Sequence, residues 1–298
     1  LVSKVVSTED GSITWLDDET GELYHNRAGA FTEAWKNYVE PCQISNLIAN
    51  KPSLAIFDVC FGLGYNSYLF LLEALSAIEA NAKISHRELN ILAVDKDPKI
   101  IEVLPQVLSD SRFSGLLKFI SSGQKPSSMD LLCRFGRHKF KLDSRVDAQV
   151  TFELVLEDLR NLLTQLFRED RRFDFIFHDG FSPRKVPELW TQEIFAHYAR
   201  LLEPDGKILT YSSSAAVRGA LQSAGLEVRR TAAVGGKSGG TIAGFPGRFT
   251  DNPHVFPLSE EEKRRLTSRS ATPYRDPSFK AERHEIIRNR ESEVRDTK

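Results

Sequence analysis

The stretch Ala55-Ile56-Phe57-Asp58-Val59-Cys60-Phe61-Gly62-Leu63-Gly64-Tyr65-Asn66-Ser67 restricts what this chain can fold into more than any other. An apolar run, a turn with two glycines and a helix-forming run together describe a first parallel strand that delivers a nucleotide-type ligand to a helix N-terminus. Glycine there lets the backbone come close to the ligand. A dinucleotide site carries a third glycine where this chain has Ser67, which counts against NAD and FAD. An Asp in the strand followed by Gly-x-Gly suits a cationic amino-acid cofactor such as S-adenosylmethionine, where no pyrophosphate needs cradling.

From residue 52 onward, strand and helix patterns alternate, which predicts an α/β fold with a mostly parallel sheet covered on both faces. Seven strands are read at about 54–60, 90–94, 151–156, 173–178, 206–212, 226–232 and 240–244. Helices are read at about 65–80, 98–109, 158–168, 189–202 and 214–224. No helix separates the last two strands. A C-terminal β-hairpin closing an otherwise parallel sheet is the outline of a Rossmann-like Class I S-adenosylmethionine-dependent methyltransferase. Residues 51–247 form this domain, 1–50 a small N-terminal extension that reads from its own residues as a polar cap on it, and 248–298 a charged C-terminal extension.

With 298 residues, 41% of them hydrophobic, the chain can bury a large core. Its formal net charge of −1 carries no global signal for nucleic acid, so any such contact rests on local patches. Cys42, Cys60 and Cys133 are widely spaced and in no metal-ligand pattern, which suits a reducing cytoplasm and no metal. No run approaches the roughly 20 apolar residues that span a bilayer. A monomer is the simplest expectation.

In the N-terminal extension, residues 12–16 and 22–25 flank a turn-rich segment and predict a hairpin, followed by a helix from about Gly29 to Tyr38 that stops near Pro41. The second strand of the main domain ends in Asp95-Lys96-Asp97-Pro98. A carboxylate at that strand end can accept both ribose hydroxyls, while Asp97 before Pro98 has the form of a helix cap. The third strand runs into Glu157-Asp158, where a carboxylate can accept from an adenine amino group and also cap the next helix. Residues from Lys118 to about 150 break the alternation and are locally basic, with Lys118, Lys125, Arg134, Arg137, Lys139, Lys141 and Arg145, a charge that suits phosphate contacts.

The fourth strand ends at His178-Asp179-Gly180, followed by Phe181-Ser182-Pro183-Arg184-Lys185-Val186-Pro187-Glu188-Leu189-Trp190. A carboxylate here can hydrogen-bond an amine and take its proton, leaving the nitrogen lone pair free to attack a sulfonium methyl carbon. Asp before Gly is also an ordinary turn pair. The later Val234-Gly235-Gly236-Lys237-Ser238-Gly239-Gly240 lacks P-loop spacing and a following helix, and reads as a mobile loop with Lys237 available to phosphate. Residues 280–298 alternate Arg and Glu as in an exposed helix.

Several of these stretches together resemble the methyltransferase domain of the MnmC family of tRNA wobble-uridine modification enzymes and its stand-alone relatives. They are Gly21 to Asn26 with Gly29-Ala30 and Glu33-Ala34; Phe57 to Asn66; Asp179 to Pro183 with Pro187 and Leu189 to Thr191; and Thr210-Tyr211-Ser212 with Val217-Arg218. The ending Ala271 to Pro277 is similar to the tail of the stand-alone members. The resemblance implies methylation of the exocyclic amine of 5-aminomethyl-2-thiouridine in the anticodon loop of tRNA, with S-adenosylmethionine as cofactor. It implies that Tyr24, Asn26 and Glu33 close the cofactor pocket, that Gly62 and Gly64 pass the methionine part beside Asp58 and Asn66, and that Asp95 with Lys96 takes the ribose. Glu157 and Asp158 fall to the adenine, and Asp179 touches the cofactor and is the catalytic residue. Phe181, Pro183, Arg184, Lys185, Trp190 and Lys237 fall on the acceptor side. The bifunctional members add an FAD-dependent oxidase; no dinucleotide fingerprint follows residue 245 here, so methyl transfer alone is expected. A polyamine-type aminopropyltransferase and a non-catalytic RNA-binding protein on the same fold remain the alternatives.

Overall fold

The computed structural model describes residues 4–120, 127–233 and 239–296, and it divides into two compact units, residues 1–157 and 158–298. Of the basic insertion, Lys125 lies outside the described residues, as does the glycine-rich segment 234–238 with Lys237.

In the first unit β1 (Val5–Ser7) pairs antiparallel with β2 (Ile13–Trp15). The predicted hairpin partner of β2, residues 22–25, pairs along its other side: Leu16 bridges Leu23, the Tyr24 N–H donates to the Trp15 carbonyl at 2.9 Å and the Asp17 N–H to the Glu22 carbonyl at 2.9 Å. The added strand β1 traces to Asp10, whose carboxylate accepts from the Ser12 backbone N–H at 2.9 Å and the Ser12 hydroxyl at 2.5 Å, closing a tight turn after β1. The same carboxylate reaches the Thr32 N–H at 2.9 Å and so seats the helix α1 (Ala30–Ala34). The predicted helix ends near Pro41, its last helical turn closing at Cys42 before left-handed Gln43 (φ 47°). It passes through a π turn (Trp35–Val39) and a 3-10 turn (Glu40–Cys42), where proline at the start lacks only an N–H the turn does not use; α2 (Ile44–Asn50) follows.

β3 (Ser53–Val59), α3 (Tyr65–Ala80) and β4 (Arg87–Asp95) form where the sequence places them. Asp97 accepts from the Lys99 N–H and caps the turn opened by Pro98. Short helices α4 (Leu104–Leu108), α5 (Ser114–Phe119) and α6 (Ser128–Leu132) lead to β5 (Gly136–Phe140) and β6 (Ala148–Leu156). β3, β4 and β6 are parallel neighbours in that order, and β5 adds antiparallel to β6. The insertion read as irregular therefore contains a strand. Its alternation explains why: Phe140 turns inward to lie 6.3 Å from Phe152, while Arg137 and Lys139 point to solvent.

The second unit opens with α7 (Leu159–Leu166), whose Leu159, Leu162, Leu163 and Leu166 share one buried face. β7 (Phe173–His178) is buried at all six positions, as a strand covered on both faces must be. α8 (Gln192–Leu201), β8 (Leu202–Thr210), α9 (Ala215–Ser223), β9 (Glu227–Thr231) and β10 (Thr241–Gly244) follow. β8 is parallel to β7, and β10 lies antiparallel between β8 and β9. That inserted last strand is the methyltransferase arrangement. A further short strand, β11 (Val255–Phe256), pairs with β9 and is not anticipated by the sequence pattern.

α10 (Glu260–Leu266) and α11 (Arg283–Asp296) form the C-terminal part. α11 is not the fully solvated helix its charges suggest: Ile286 is completely buried, and Arg283 Nε donates to Glu188 Oε1 at 2.7 Å. Among the described residues, no helix is long and apolar enough to cross a membrane.

Candidate active site

The turn after β3 is built on left-handed backbone at Cys60 (φ 61°), Gly62 (φ 53°) and Gly64 (φ 77°). Glycine removes the steric cost at two of these positions. A Cβ at Gly62 would lie 2.8 Å from Tyr24 Cδ1, and one at Gly64 would lie 2.5 Å from Tyr68 Cε2. The ring of Tyr24 thus rests against the glycine bend. It arrives from the N-terminal extension, stacked on Trp15 at 5.8 Å. Tyr65, the first residue of α3, fastens that extension in place by donating its hydroxyl to the Ile13 carbonyl at 3.0 Å and accepting the Ile13 N–H at 3.2 Å.

Asp95 closes β4 with its carboxylate spread over two backbone donors, the Gly62 N–H at 2.8 Å and the Asp97 N–H at 2.9 Å. Burial pushes its carboxyl up to about 6, against the pull of those hydrogen bonds. The Glu157 N–H donates to the Asp95 carbonyl at 3.0 Å, which brings the ends of β4 and β6 together. Tyr24, Gly62, Asp95 and Glu157 are therefore one cluster. Burial also raises the Tyr24 phenol above its ordinary range, with Asp95 and Asp97 adding to the effect.

The other expected residues of this unit have different surroundings. Lys96 is exposed and places its ammonium 3.2 Å from Glu19 Oε2. Glu33 Oε2 accepts the Asn26 backbone N–H at 2.8 Å, and Asn26 Oδ1 accepts the Ala28 N–H at 3.1 Å, so this pair shapes the loop that carries Tyr24. Asp58 is fully buried and accepts the Ser67 hydroxyl at 2.6 Å, tying β3 to the first turn of α3; Asn66 beside it is also buried.

In the second unit Asp158 caps α7 by accepting the Arg160 N–H at 2.8 Å. Its carboxylate also holds the Arg160 guanidinium, Nη2 to Oδ2 at 3.1 Å. Asp179 lies half-buried one residue past β7. The loop after it is braced from inside: Tyr211 donates its hydroxyl to the Gly180 carbonyl at 3.0 Å, and Trp190 Nε1 donates to the Phe181 carbonyl at 2.8 Å. Phe181 and Pro183 are half-buried, while Arg184 and Lys185 are exposed. Trp190, expected among the substrate contacts, is completely buried, with His178 edge-on at 4.4 Å. Its role is that of a post supporting the loop. A large aromatic with one N–H is suited to that task when the N–H finds a carbonyl.

Residues that sequence reasoning passed over complete these groups. Arg218, in the Val-Arg pair of the family motif, is buried and donates from Nε to Thr241 Oγ1 at 2.9 Å and from Nη1 to Glu262 Oε1 at 2.7 Å. Thr241 in turn donates to the Ser212 carbonyl at 2.6 Å, which anchors the segment after β8. Arg160 and Asp276 form an ion pair across 116 positions, so no local pattern announces it.

Comparison with known proteins agrees with this architecture. A family described as S-adenosyl-L-methionine-dependent methyltransferase matches residues 130–246. The bifunctional protein MnmC of Chromobacterium violaceum, named for tRNA 5-methylaminomethyl-2-thiouridine biosynthesis, is 32% identical over 238 residues, covering 76% of this chain and 33% of that protein. The chain thus spans about a third of the length of the MnmC proteins it matches. An uncharacterized protein of Methanocaldococcus jannaschii is 27% identical over 96% of this chain and 71% of its own length. The crystal structure of MnmC2 from Aquifex aeolicus superposes with a TM-score of 0.75 at 28% identity, covering 98% of this chain and 85% of that one. The glycine bend, the inserted antiparallel β10 and these similarities make the chain an MnmC-like S-adenosylmethionine-dependent methyltransferase.

Proposed function

We propose that this enzyme methylates the nitrogen of the 5-aminomethyl group on (2-thio)uridine at the tRNA wobble position, giving 5-methylaminomethyl-(2-thio)uridine. The reading is carried by Asp179, a half-buried carboxylate at the end of a fully buried strand, on a loop held rigid by Trp190 and Tyr211. The cofactor's sulfonium supplies an activated methyl group. Gly62 and Gly64 leave room for its amino-acid part, Asp95 accepts from the ribose and Asp158 from the adenine amine. Leu156, 44% exposed at the end of β6, offers apolar contact to a purine. Asp179 hydrogen-bonds the substrate's alkylammonium and takes its proton, so that the nitrogen presents a free lone pair. A nucleotide of the anticodon loop is already unpaired and is presented at little cost.

The acceptor loop favours RNA over a polyamine, since a polycation would meet the exposed Arg184 and Lys185. A further basic stripe lies on β5. Arg137, Lys139 and the adjoining Lys141 are exposed at alternate positions, about 7 Å apart along the strand, a spacing comparable to that of successive phosphates. Replacing all three with alanine is expected to weaken tRNA binding and to lower the slope of log K against log salt by about 2–3, with S-adenosylhomocysteine affinity unchanged. An unaltered slope removes the stripe from the RNA interface.

Cofactor affinity should depend on pH through Asp95. Its folded pKa is raised, to about 6, so protonation favours the free enzyme below that point, whereas acceptance from ribose requires the ionised form. Affinity for S-adenosylhomocysteine is therefore level above this range and falls as pH drops through about 6. Asp95→Asn binds weakly at every pH and flattens the profile in calorimetric titration.

The assay for the activity itself is incubation of tRNA bearing 5-aminomethyluridine with methyl-labelled S-adenosylmethionine, followed by nucleoside analysis. Label is expected in the 5-methylaminomethyl nucleoside. Label in any other nucleoside, or only in a free polyamine, replaces the proposal.

A further inference from the structure

Asp276 lies in the C-terminal segment and is 1% exposed. Its Oδ1 accepts from the Ser278 hydroxyl at 3.0 Å, the Lys280 N–H at 3.2 Å and the Ala281 N–H at 3.1 Å. Its Oδ2 meets Arg160 Nη1 at 3.4 Å. A charge this deeply buried is retained only when it is paired and hydrogen-bonded, and this one is both. Arg160 Nη1 also donates to the Ala281 carbonyl at 3.2 Å, and the guanidinium meets Asp158 from Nε to Oδ1 at 3.2 Å and from Nη2 to Oδ2 at 3.1 Å. One planar cation thus bridges two carboxylates, one from the tail and one at the head of α7.

The same tail grips the segment after the acceptor loop. Gln192 N–H donates to the Tyr274 carbonyl at 2.9 Å, and Glu193 accepts from Arg275 Nε at 2.6 Å and from the Asp276 N–H at 2.9 Å. These contacts fix where Asp276 stands, and through it the plane of the Arg160 fork.

We propose that Arg160 and Asp276 are positioning residues for cofactor recognition: the tail carboxylate shares the guanidinium, leaving Asp158 enough negative charge, in a fixed orientation, to read the 6-amino group of adenine. The inference rests on the assignment of Asp158 to the adenine given above. Without the Asp276 carboxylate the guanidinium would neutralise Asp158 alone and would be held on its tail side by the Ala281 carbonyl only. Both changes weaken the carboxylate as an acceptor.

The test compares binding of S-adenosylhomocysteine with that of S-inosylhomocysteine, which carries a carbonyl in place of the amine, by calorimetry on the full chain. A hydrogen bond to a charged acceptor predicts that the wild type prefers the adenine ligand by about 10-fold or more. Asp158→Asn should bring the ratio close to one. Asp276→Asn should lower it at least about threefold, and Arg160→Lys, which keeps the charge but not the planar fork, should do the same. Arg160→Lys supplies the answer if Asp276→Asn does not fold. A ratio that survives Asp158→Asn overturns the adenine assignment. A ratio lost in Asp158→Asn but intact in the two other variants overturns the relay while leaving that assignment standing.

Discussion

Asp179→Asn is expected to lower kcat for methyl transfer by about 10²–10⁴-fold while tRNA and S-adenosylhomocysteine still bind. The substitution keeps the size of the side chain and one carbonyl acceptor, so it isolates proton acceptance from packing. An alkylammonium has a pKa near that of lysine, about 10.4, and is almost wholly protonated at neutral pH. Its nitrogen therefore cannot attack until a base removes the proton. In the variant that task passes to solvent, so the residual rate should climb with pH toward the amine's own pKa, whereas the wild-type rate levels off earlier. Single-turnover kinetics across a pH series measure this directly. Turnover equal to the wild type, or a loss that alkaline pH does not relieve, removes Asp179 from the chemistry.

The second large effect separates the two glycines of the bend. At Gly64, φ is +77° and an added Cβ would press 2.5 Å from Tyr68 Cε2 and 2.7 Å from Phe61 Cζ. Tyr68 has nowhere to go. It is completely buried, edge-on to Phe61 at 5.7 Å, and its hydroxyl donates to the Leu132 carbonyl at 2.9 Å. Left-handed backbone strain and overpacking together cost Gly64→Ala about 2–4 kcal/mol, a fall of several degrees or more in Tm. At Gly62, φ is +53° and the obstacle is Tyr24 Cδ1 at 2.8 Å, on a ring that is half-buried where Tyr68 is completely buried. Gly62→Ala should therefore keep more of its stability and lose cofactor affinity instead, because the Tyr24 wall is displaced and the bend fills. Thermal melts and S-adenosylhomocysteine titrations of the two variants should rank in opposite orders. A Gly64→Ala protein that melts like the wild type refutes the packing argument.

Much of the fold was legible because its signals are local. β3, α3, β4 and β7 announce themselves by apolar runs of the right length and by glycine or aspartate at their ends, and the Asp97 and Asp158 caps follow from neighbours two residues away. The edge strands were not legible. β5 has few apolar residues, and β11 is two residues long; each exists because a neighbouring strand offers an open row of hydrogen-bonding groups. The N-terminal hairpin across the turn at residues 17–21 was legible, but β1 on its other side was not, because the Asp10 turn that places it is built from Ser12 and the distant Thr32.

The site divides in the same way. From its own sequence the chain shows a glycine bend after the first parallel strand, acids at successive strand ends and a carboxylate beginning a proline-stiffened loop, since each is a short local motif. Tertiary structure alone decided that Trp190 is a buried support, that Asp58 is tied to Ser67 within the core, and that Arg160 answers to Asp276 as well as to Asp158. Burial and charge pairing depend on which segments meet after folding, and the energy of a side chain is set by those distant neighbours far more than by the residues beside it in the chain.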